Sequence, residues 1–415
     1  MEHFLIRGGI PLSGTIHISG AKNAALPTCV ASLLTDDPVS IDRVPYLRDV
    51  RTIISTISSL GKQITRSGHT VEIASGGRIN YEAQAQFVQQ MRASFLVLGP
   101  LVARLGRAVV PLPGGCRIGA RPVNLHLRGL CALGAEVKEE GSRVTVAAKR
   151  LRGARISLPT PSVGATEQIM MSAALASGET AVQNASWEPE VEDLAQLLVK
   201  MGSEIEHRDG TLFVQGRSDL HGARHAVIPD RMEAGTYLLA GAITRGAISV
   251  SGVIPDHLSS LLSLLEETGG DIDRTEDSVS ITMDRRPRPL SVKTAPYPGF
   301  PTDLQSPLVV LLATADGRST VEERIFENRF TYARDLQRMG AMIEVSGCVA
   351  TITGVQELHP VQASASDIRA GAALVLAALA ADEESTISNL TQIDRGYEAM
   401  EEKLSSVGAQ IERIG

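Results

Sequence analysis

One short signature recurs six times in this 415-residue chain and restricts what it can fold into. A helix-end residue, a glycine and, three places on, a β-branched residue appear as Leu60-Gly61-Lys62-Gln63-Ile64, Leu133-Gly134-Ala135-Glu136-Val137 and Met201-Gly202-Ser203-Glu204-Ile205. The pattern returns as Thr268-Gly269-Gly270-Asp271-Ile272, Met339-Gly340-Ala341-Met342-Ile343 and Val407-Gly408-Ala409-Gln410-Ile411. The glycines stand 67 to 73 residues apart, so six copies account for the whole chain. Self-similarity at a fixed period marks a repeat architecture. A glycine at this point is suited to ending a helix in the left-handed conformation.

The segments between the glycines supply the rest of the unit. After each glycine come two strands with alternating faces, as in residues 136–147 and 204–215, which read as hairpins. Upstream lie helices rich in alanine and glycine, at 20–34, 91–105, 163–177, 232–245, 302–315 and 367–381. Small residues let neighbouring helices approach closely, so these form a buried inner layer. A short strand follows each, such as 38–41, 247–251 and 385–388, and an amphipathic helix such as 191–201 precedes the glycine. The unit is helix, strand, helix, strand, strand, with the preceding unit's last strand leading in. Six units divide into two domains of three, 20–229 and 1–19 with 230–415. The strand at 3–7 completes the second domain. An open solenoid is the alternative arrangement.

The polar residues of the inner helices gather at their N-terminal ends. Lys22 and Asn23 open the first, Arg92 the second, Ser162 to Thr166 the third. Asp230, Arg231 and Glu233 open the fourth, Asp303 the fifth, Asp367 and Arg369 the sixth. Helix N-termini favour anions, and together with lysine and arginine they describe an interdomain site for a polyanionic small molecule. Arg121, Arg329 and Arg395 form a matching set ahead of the second helices. The simpler reading, in which Asp and Ser only cap helices and the arginines make surface ion pairs, stays open at this stage.

The residues from Pro111 to Pro122 hold three prolines, three glycines, Arg117, Arg121 and Cys116, and cannot stay helical or extended for long. Cations beside a cysteine favour its reactive thiolate. Cys29, Cys131 and Cys348 read as small buried apolar residues, and Trp187 beside Glu188-Pro189-Glu190 as packing. The four cysteines lack ligand spacing, so no structural zinc and a reducing cytoplasm are expected. A net charge of −7 and 3% aromatic residues argue against a nucleic-acid partner. The longest uncharged apolar run, 370–381, is too short to cross a bilayer, and no secretory leader is apparent. Neither a P-loop nor a dinucleotide glycine fingerprint is present.

Several segments together carry a resemblance. They are residues 19–27 (SGAKNAALP), 91–94 (MRAS), 113–122 (PGGCRIGARP), 162–166 (SVGAT), 300–303 (FPTD), 326–330 (FENRF), 367–370 (DIRA) and 393–398 (IDRGYE). In order and spacing the chain resembles the enolpyruvyl transferases end to end, within them the branch acting on UDP-N-acetylglucosamine. The resemblance implies an α/β (α+β) fold: a two-domain inside-out α/β barrel of six units, with the active site in the interdomain cleft. It implies transfer of enolpyruvyl from phosphoenolpyruvate to the 3-hydroxyl of UDP-N-acetylglucosamine, with release of phosphate, in the first committed step of peptidoglycan synthesis. The path is addition then elimination, without metal or cofactor, by a cytoplasmic monomer or weak homo-oligomer that needs no membrane.

Carried over residue by residue, the resemblance makes Lys22, Arg121 and Arg395 the clamp on phosphoenolpyruvate. Cys116 becomes the proton donor to its methylene carbon and the site of a covalent adduct. Asp303 becomes the base at the sugar hydroxyl and Asp367 a second acid near the reacting centre. Asn23, Arg92, Pro122, Val123, Asn124, Leu125, Thr160, Ser162, Val163, Gly164, Ile325, Arg329 and Arg369 complete the substrate-binding set. Three positions depart from the family's usual pattern. Thr160 stands for a lysine near the diphosphate, Asn124 for an aspartate at the uracil, and Gln392 for a histidine before Ile393. Thr160 and Asn124 motivate one alternative, a paralogue using another nucleotide acceptor such as UMP. A catalytically silent binding protein on the same fold is another, against which the retention of Lys22, Cys116, Asp303 and Arg395 argues. The shikimate 3-phosphate branch fits less well, since its members generally lack the Cys116 loop.

Overall fold

The structure, a computed structural model, describes residues 2–113 and 123–415. Its repeat is clearest in the third unit. A short leading strand, Arg155–Ser157, precedes the inner helix Val163–Ala173. The strand Glu179–Gln183, the outer helix Pro189–Lys200 and the hairpin Glu204–Arg208 with Thr211–Gln215 follow. In the sheet the leading strand runs parallel to the middle strand, with Ile156 opposite Val182. The hairpin's second strand lies antiparallel on the other side, with Leu212 opposite Val182. The outer helix buries Val191, Leu194, Leu197 and Leu198 and turns Glu192, Gln196 and Lys200 to solvent. By contrast, every residue of the inner helix from Ala165 to Ala173 is buried.

All six signature glycines end their helices with positive φ, between +89° and +109°. At Gly202 the N–H donates to Val199 O, and the next N–H, of Ser203, donates to Leu198 O. These are the two bonds of a Schellman cap. The same pair forms at Gly134, Gly269, Gly340 and Gly408. The cap turns the chain by a fixed angle into the next strand. Chain direction is thus set by one residue type, six times over.

The leading strands correct one expectation. They are separate short strands after each hairpin, such as Ser291–Lys293 and Gln362–Ser364, and not the preceding unit's last strand. The hairpin's second strand is already taken on both sides, antiparallel to the hairpin's first strand, which forms the edge, and to the strand Glu179–Gln183. A parallel neighbour on the other edge needs the chain to reverse first. In the second unit the lead shrinks to a bridge between Glu82 and Val109.

The chain divides into two compact units, one of residues 2–19 and 229–415, the other of 20–113 and 123–228. Each has its own apolar core. In the first of these the inner helices Arg231–Ile243, Gln305–Ala313 and Ile368–Ala380 pack on one another. In each, the sheets lie outside the helices and both ends of the repeat array meet. The strand Arg224–Ala226, after the third hairpin, leads into the first unit's strand Val39–Asp42, His225 opposite Ile41. Strand His3–Arg7 sits between Glu384–Ser388 and Gln410–Ile414 and serves as the sixth unit's missing hairpin strand. Ser13–His17 then leads into Ala247–Ser251. Such closure excludes an open solenoid, whose repeats touch only their sequence neighbours. Among the described residues no helix is long and apolar enough to cross a membrane.

Two cysteines also depart from expectation. Cys29 is buried, whereas Cys131 and Cys348 are exposed. Cys131 falls on the solvent side of the helix Asn124–Ala132, and Cys348 sits in the hairpin turn between Met342–Ser346 and Val349–Thr353.

Candidate active site

Within the unit of residues 229–415, two helix starts are capped as the simpler reading proposed. Asp367 Oδ1 accepts from the N–H groups of Arg369 and Ala370, and Asp230 Oδ1 from those of Met232 and Glu233. Asp303 is different. It lies in the 3₁₀ turn Thr302–Leu304 that opens the fifth inner helix, and its side chain faces two arginines. Arg329 Nη2 donates to Asp303 Oδ1 at 2.7 Å. Arg369 donates to Oδ2 through Nε at 3.1 Å and Nη2 at 2.9 Å. Both arginine side chains are nearly fully buried, while that of Asp303 keeps 28% of its surface. Arg329 also lies 5.6 Å from the Phe326 ring, and Arg369 lies 5.3 Å from that of Tyr397. The result is a part-buried carboxylate held by a two-point contact from Arg369 and a single one from Arg329.

Arg395 closes a short 3₁₀ turn, Ile393–Arg395, and its Nη1 donates to Gln392 Oε1 at 3.1 Å. The amide at this departure from the family pattern therefore supplies an acceptor to a neighbouring guanidinium. Ile325 is 36% exposed, with its backbone N–H donating to Glu323.

In the unit of residues 20–228, Lys22 begins the first inner helix with its Nζ 3.5 Å from Asp49 Oδ2. Both are buried, and Asp49 sits in the first turn of the helix Arg48–Ser59, where the helix field favours a carboxylate. Asn23 and Arg92 are half-buried at the starts of their helices. Ser162 Oγ accepts from Ala165 N–H, capping the third inner helix. That helix packs against Asn124–Ala132, where His126 Nδ1 lies 3.0 Å from Gln168 Oε1. Gly164 permits the approach, since a Cβ there would stand 3.0 Å from the His126 ring. Residues 123–125 and 162–164 are thereby brought side by side. Asn124 and Thr160 are both exposed. Cys116, Arg121 and Pro122 lie outside the described residues.

The family model described as EPSP synthase (3-phosphoshikimate 1-carboxyvinyltransferase) matches residues 6–404. The chain belongs to this family. Its similar relatives include the UDP-N-acetylglucosamine 1-carboxyvinyltransferase of Koribacter versatilis, 47% identical across all of this chain and 97% of that protein. The protein of the same name from Geobacter metallireducens is 46% identical over the full length of both. Among solved structures, the enolpyruvyl transferase NikO of Streptomyces tendae aligns with a TM-score of 0.90 at 26% identity, over 99% of this chain and 98% of that one. The EPSP synthase of Acinetobacter baumannii shares the fold, with a TM-score of 0.79 at 17% identity over all of both chains.

Sequence reasoning missed several residues that organise this family member. Glu323 and Asp49 lie hidden among ordinary surface-type charges, with no periodicity to mark them as buried. Glu233 is 2% exposed; its Oε2 accepts from Ser19 N–H and its Oε1 from Lys403 Nζ at 2.7 Å. Burial pushes its pKa up to about 7 against the pull of Lys403. Glu167, buried on the third inner helix, is also pushed well above the carboxylate range, by burial and then by Glu190 and Glu188. Trp187 stacks on His207 with ring centres 4.3 Å apart, the packing role expected of it.

Proposed function

We propose that this chain transfers the enolpyruvyl group of phosphoenolpyruvate to the 3-hydroxyl of UDP-N-acetylglucosamine and releases phosphate. The observation that carries this reading is the end-to-end match, at 46–47% identity, with relatives that bear the name of that activity. The Asp303 cluster supports it chemically. An alcohol must lose its proton as its oxygen attacks C2 of phosphoenolpyruvate, and Asp303 offers a part-exposed carboxylate at a helix start to take it. Its two arginines keep that carboxylate in one orientation.

Phosphoenolpyruvate brings a phosphate and a carboxylate, and Lys22, Arg121 and Arg395 supply the countercharges. Cys116 gives a proton to the methylene carbon, producing a tetrahedral intermediate. Return of a proton from the resulting methyl group to Cys116 then breaks the bond between C2 and the phosphate oxygen. The leaving phosphate takes up the proton held by Asp303, so enol ether and phosphate result and both side chains regain their starting states. Asp367, whose Oδ1 caps the helix start that carries Arg369, serves as the second acid near the reacting centre. Asn23, Arg92, Val123, Leu125, Ser162, Val163, Gly164 and Ile325 line the nucleotide-sugar side. The same reading has the protein working in the cytoplasm, as a monomer or weak homo-oligomer, where phosphoenolpyruvate is made.

The exposed Asn124 and the uncharged Thr160 favour a second reading, in which the acceptor is a different nucleotide. Phosphate release with phosphoenolpyruvate, measured against UDP-N-acetylglucosamine and UMP in parallel, separates the two. Turnover with the sugar nucleotide is expected. Release with UMP alone would overturn the first reading, and release with neither would favour a silent binding protein.

A further inference from the structure

Glu323 follows the strand Arg318–Glu322 and is 3% exposed. Its carboxylate accepts four hydrogen bonds. Oε1 takes them from Thr294 Oγ1 at 2.9 Å, Ile325 N–H at 2.8 Å and Phe326 N–H at 3.2 Å. Oε2 takes one from Thr302 Oγ1 at 2.9 Å. Thr302 starts the turn that presents Asp303, and Ile325 starts the segment that runs on to Arg329. Arg329 in turn donates to Asp303 and, at 3.4 Å, to Thr302 O.

One buried carboxylate therefore closes a circuit through two segments that are distant in sequence. Removing a charge from water is costly unless donors surround it. Capping two backbone N–H groups after a strand needs only a serine or an asparagine, whereas reaching Thr302 as well needs two oxygens on a longer stem. We infer that Glu323 is a positioning residue for the acceptor end of the site, fixing the Asp303 turn and the Ile325 segment relative to each other before the acceptor arrives. The inference rests on the proposed function for its substrate and on the hydrogen bonds above for its geometry.

Steady-state kinetics of Glu323→Ala, Glu323→Gln and Thr302→Val, with each substrate varied in turn, test it. Loss of several hydrogen bonds predicts a KM for the acceptor raised by about ten-fold or more in Glu323→Ala. The KM for phosphoenolpyruvate should change by less than about two-fold. Glu323→Gln should be milder, because its amide oxygen still serves the Oε1 donors and the Thr302 hydroxyl can turn to accept from the new NH₂. Thr302→Val, which cuts only the link to the Asp303 turn, should raise the acceptor KM with little change in melting temperature. Equal rises in both KM values, or none, would overturn the inference. Hydrogen exchange without substrates gives a readout independent of activity: in Glu323→Ala, amides at 302–304 and 325–326 should exchange faster together. Unchanged exchange at 302–304 would refute the positioning role even if the wild type uses another acceptor. Wild-type inactivity with both acceptors would count against the proposed function alone.

Discussion

Asp303 and Arg369 meet through a two-point contact, with Nε and Nη2 of the arginine at 3.1 and 2.9 Å from one carboxylate oxygen. A lysine reaches that oxygen with a single ammonium and does not fix its direction. Arg369→Lys should therefore lower kcat by about 100-fold, a size typical of losing one preorganised charged contact. Phosphate release at saturating substrates measures it. A kcat within two-fold of wild type would show that the fork does not matter to turnover.

The signature glycines predict a graded cost. Gly408 has φ +97° and a Cβ there would meet nothing, so Gly408→Ala pays only for the left-handed backbone, about 1 kcal/mol. Gly202 has φ +103°, and a Cβ there would stand 3.2 Å from the His221 ring. Gly202→Ala should cost more than Gly408→Ala in urea unfolding. The reverse order would show that the His221 ring gives way without cost.

Stability should depend on pH through Glu233. Its pKa in the folded protein is raised to about 7 from 4.5, so between those values the folded state binds more protons than the unfolded state. The group's contribution is fully present below about pH 4.5 and is lost as pH rises through 7, with a full swing on the order of 3 kcal/mol. Unfolding free energies at pH 5 and pH 8 should draw together in Glu233→Gln relative to wild type. An unchanged gap would place the titration elsewhere.

The thiols should divide by exposure. Burial pushes the Cys29 thiol up to about 12, whereas Cys131 and Cys348 are exposed. In a Cys116→Ser background, a disulfide reagent should label Cys131 and Cys348 in the native protein and Cys29 only after unfolding. Rapid labelling of Cys29 in native protein would mean that the first inner helix opens readily.

Sequence reading reached the repeat, the hairpins and the helix starts because each rests on local chemistry: a left-handed glycine, a period of two, a capping aspartate. It failed where the outcome depends on which strand lies beside which. Four of the leading strands are only three residues long and carry no pattern of their own, so only the pairing of His225 with Ile41 reveals the third as a neighbour of the first. Glu323 escaped for a related reason. Its donors come from residues 294, 302, 325 and 326, and only two of those are local. Cys348 was misjudged because composition ranks cysteine as a core residue, while its place in a hairpin turn sets its exposure. The motifs carrying Asp303, Arg329 and Arg369 were legible, but the ion pairs joining them were not.

The placement of His3–Arg7 between Glu384–Ser388 and Gln410–Ile414 has a consequence for biosynthesis. A ribosome emits that strand long before either of its partners. The 20–228 unit draws every strand from one continuous stretch and can mature while translation continues. Its companion has to hold an unpaired strand until residues 384–414 emerge, so a nascent chain stalled before residue 384 would carry one finished unit and one bare β-edge.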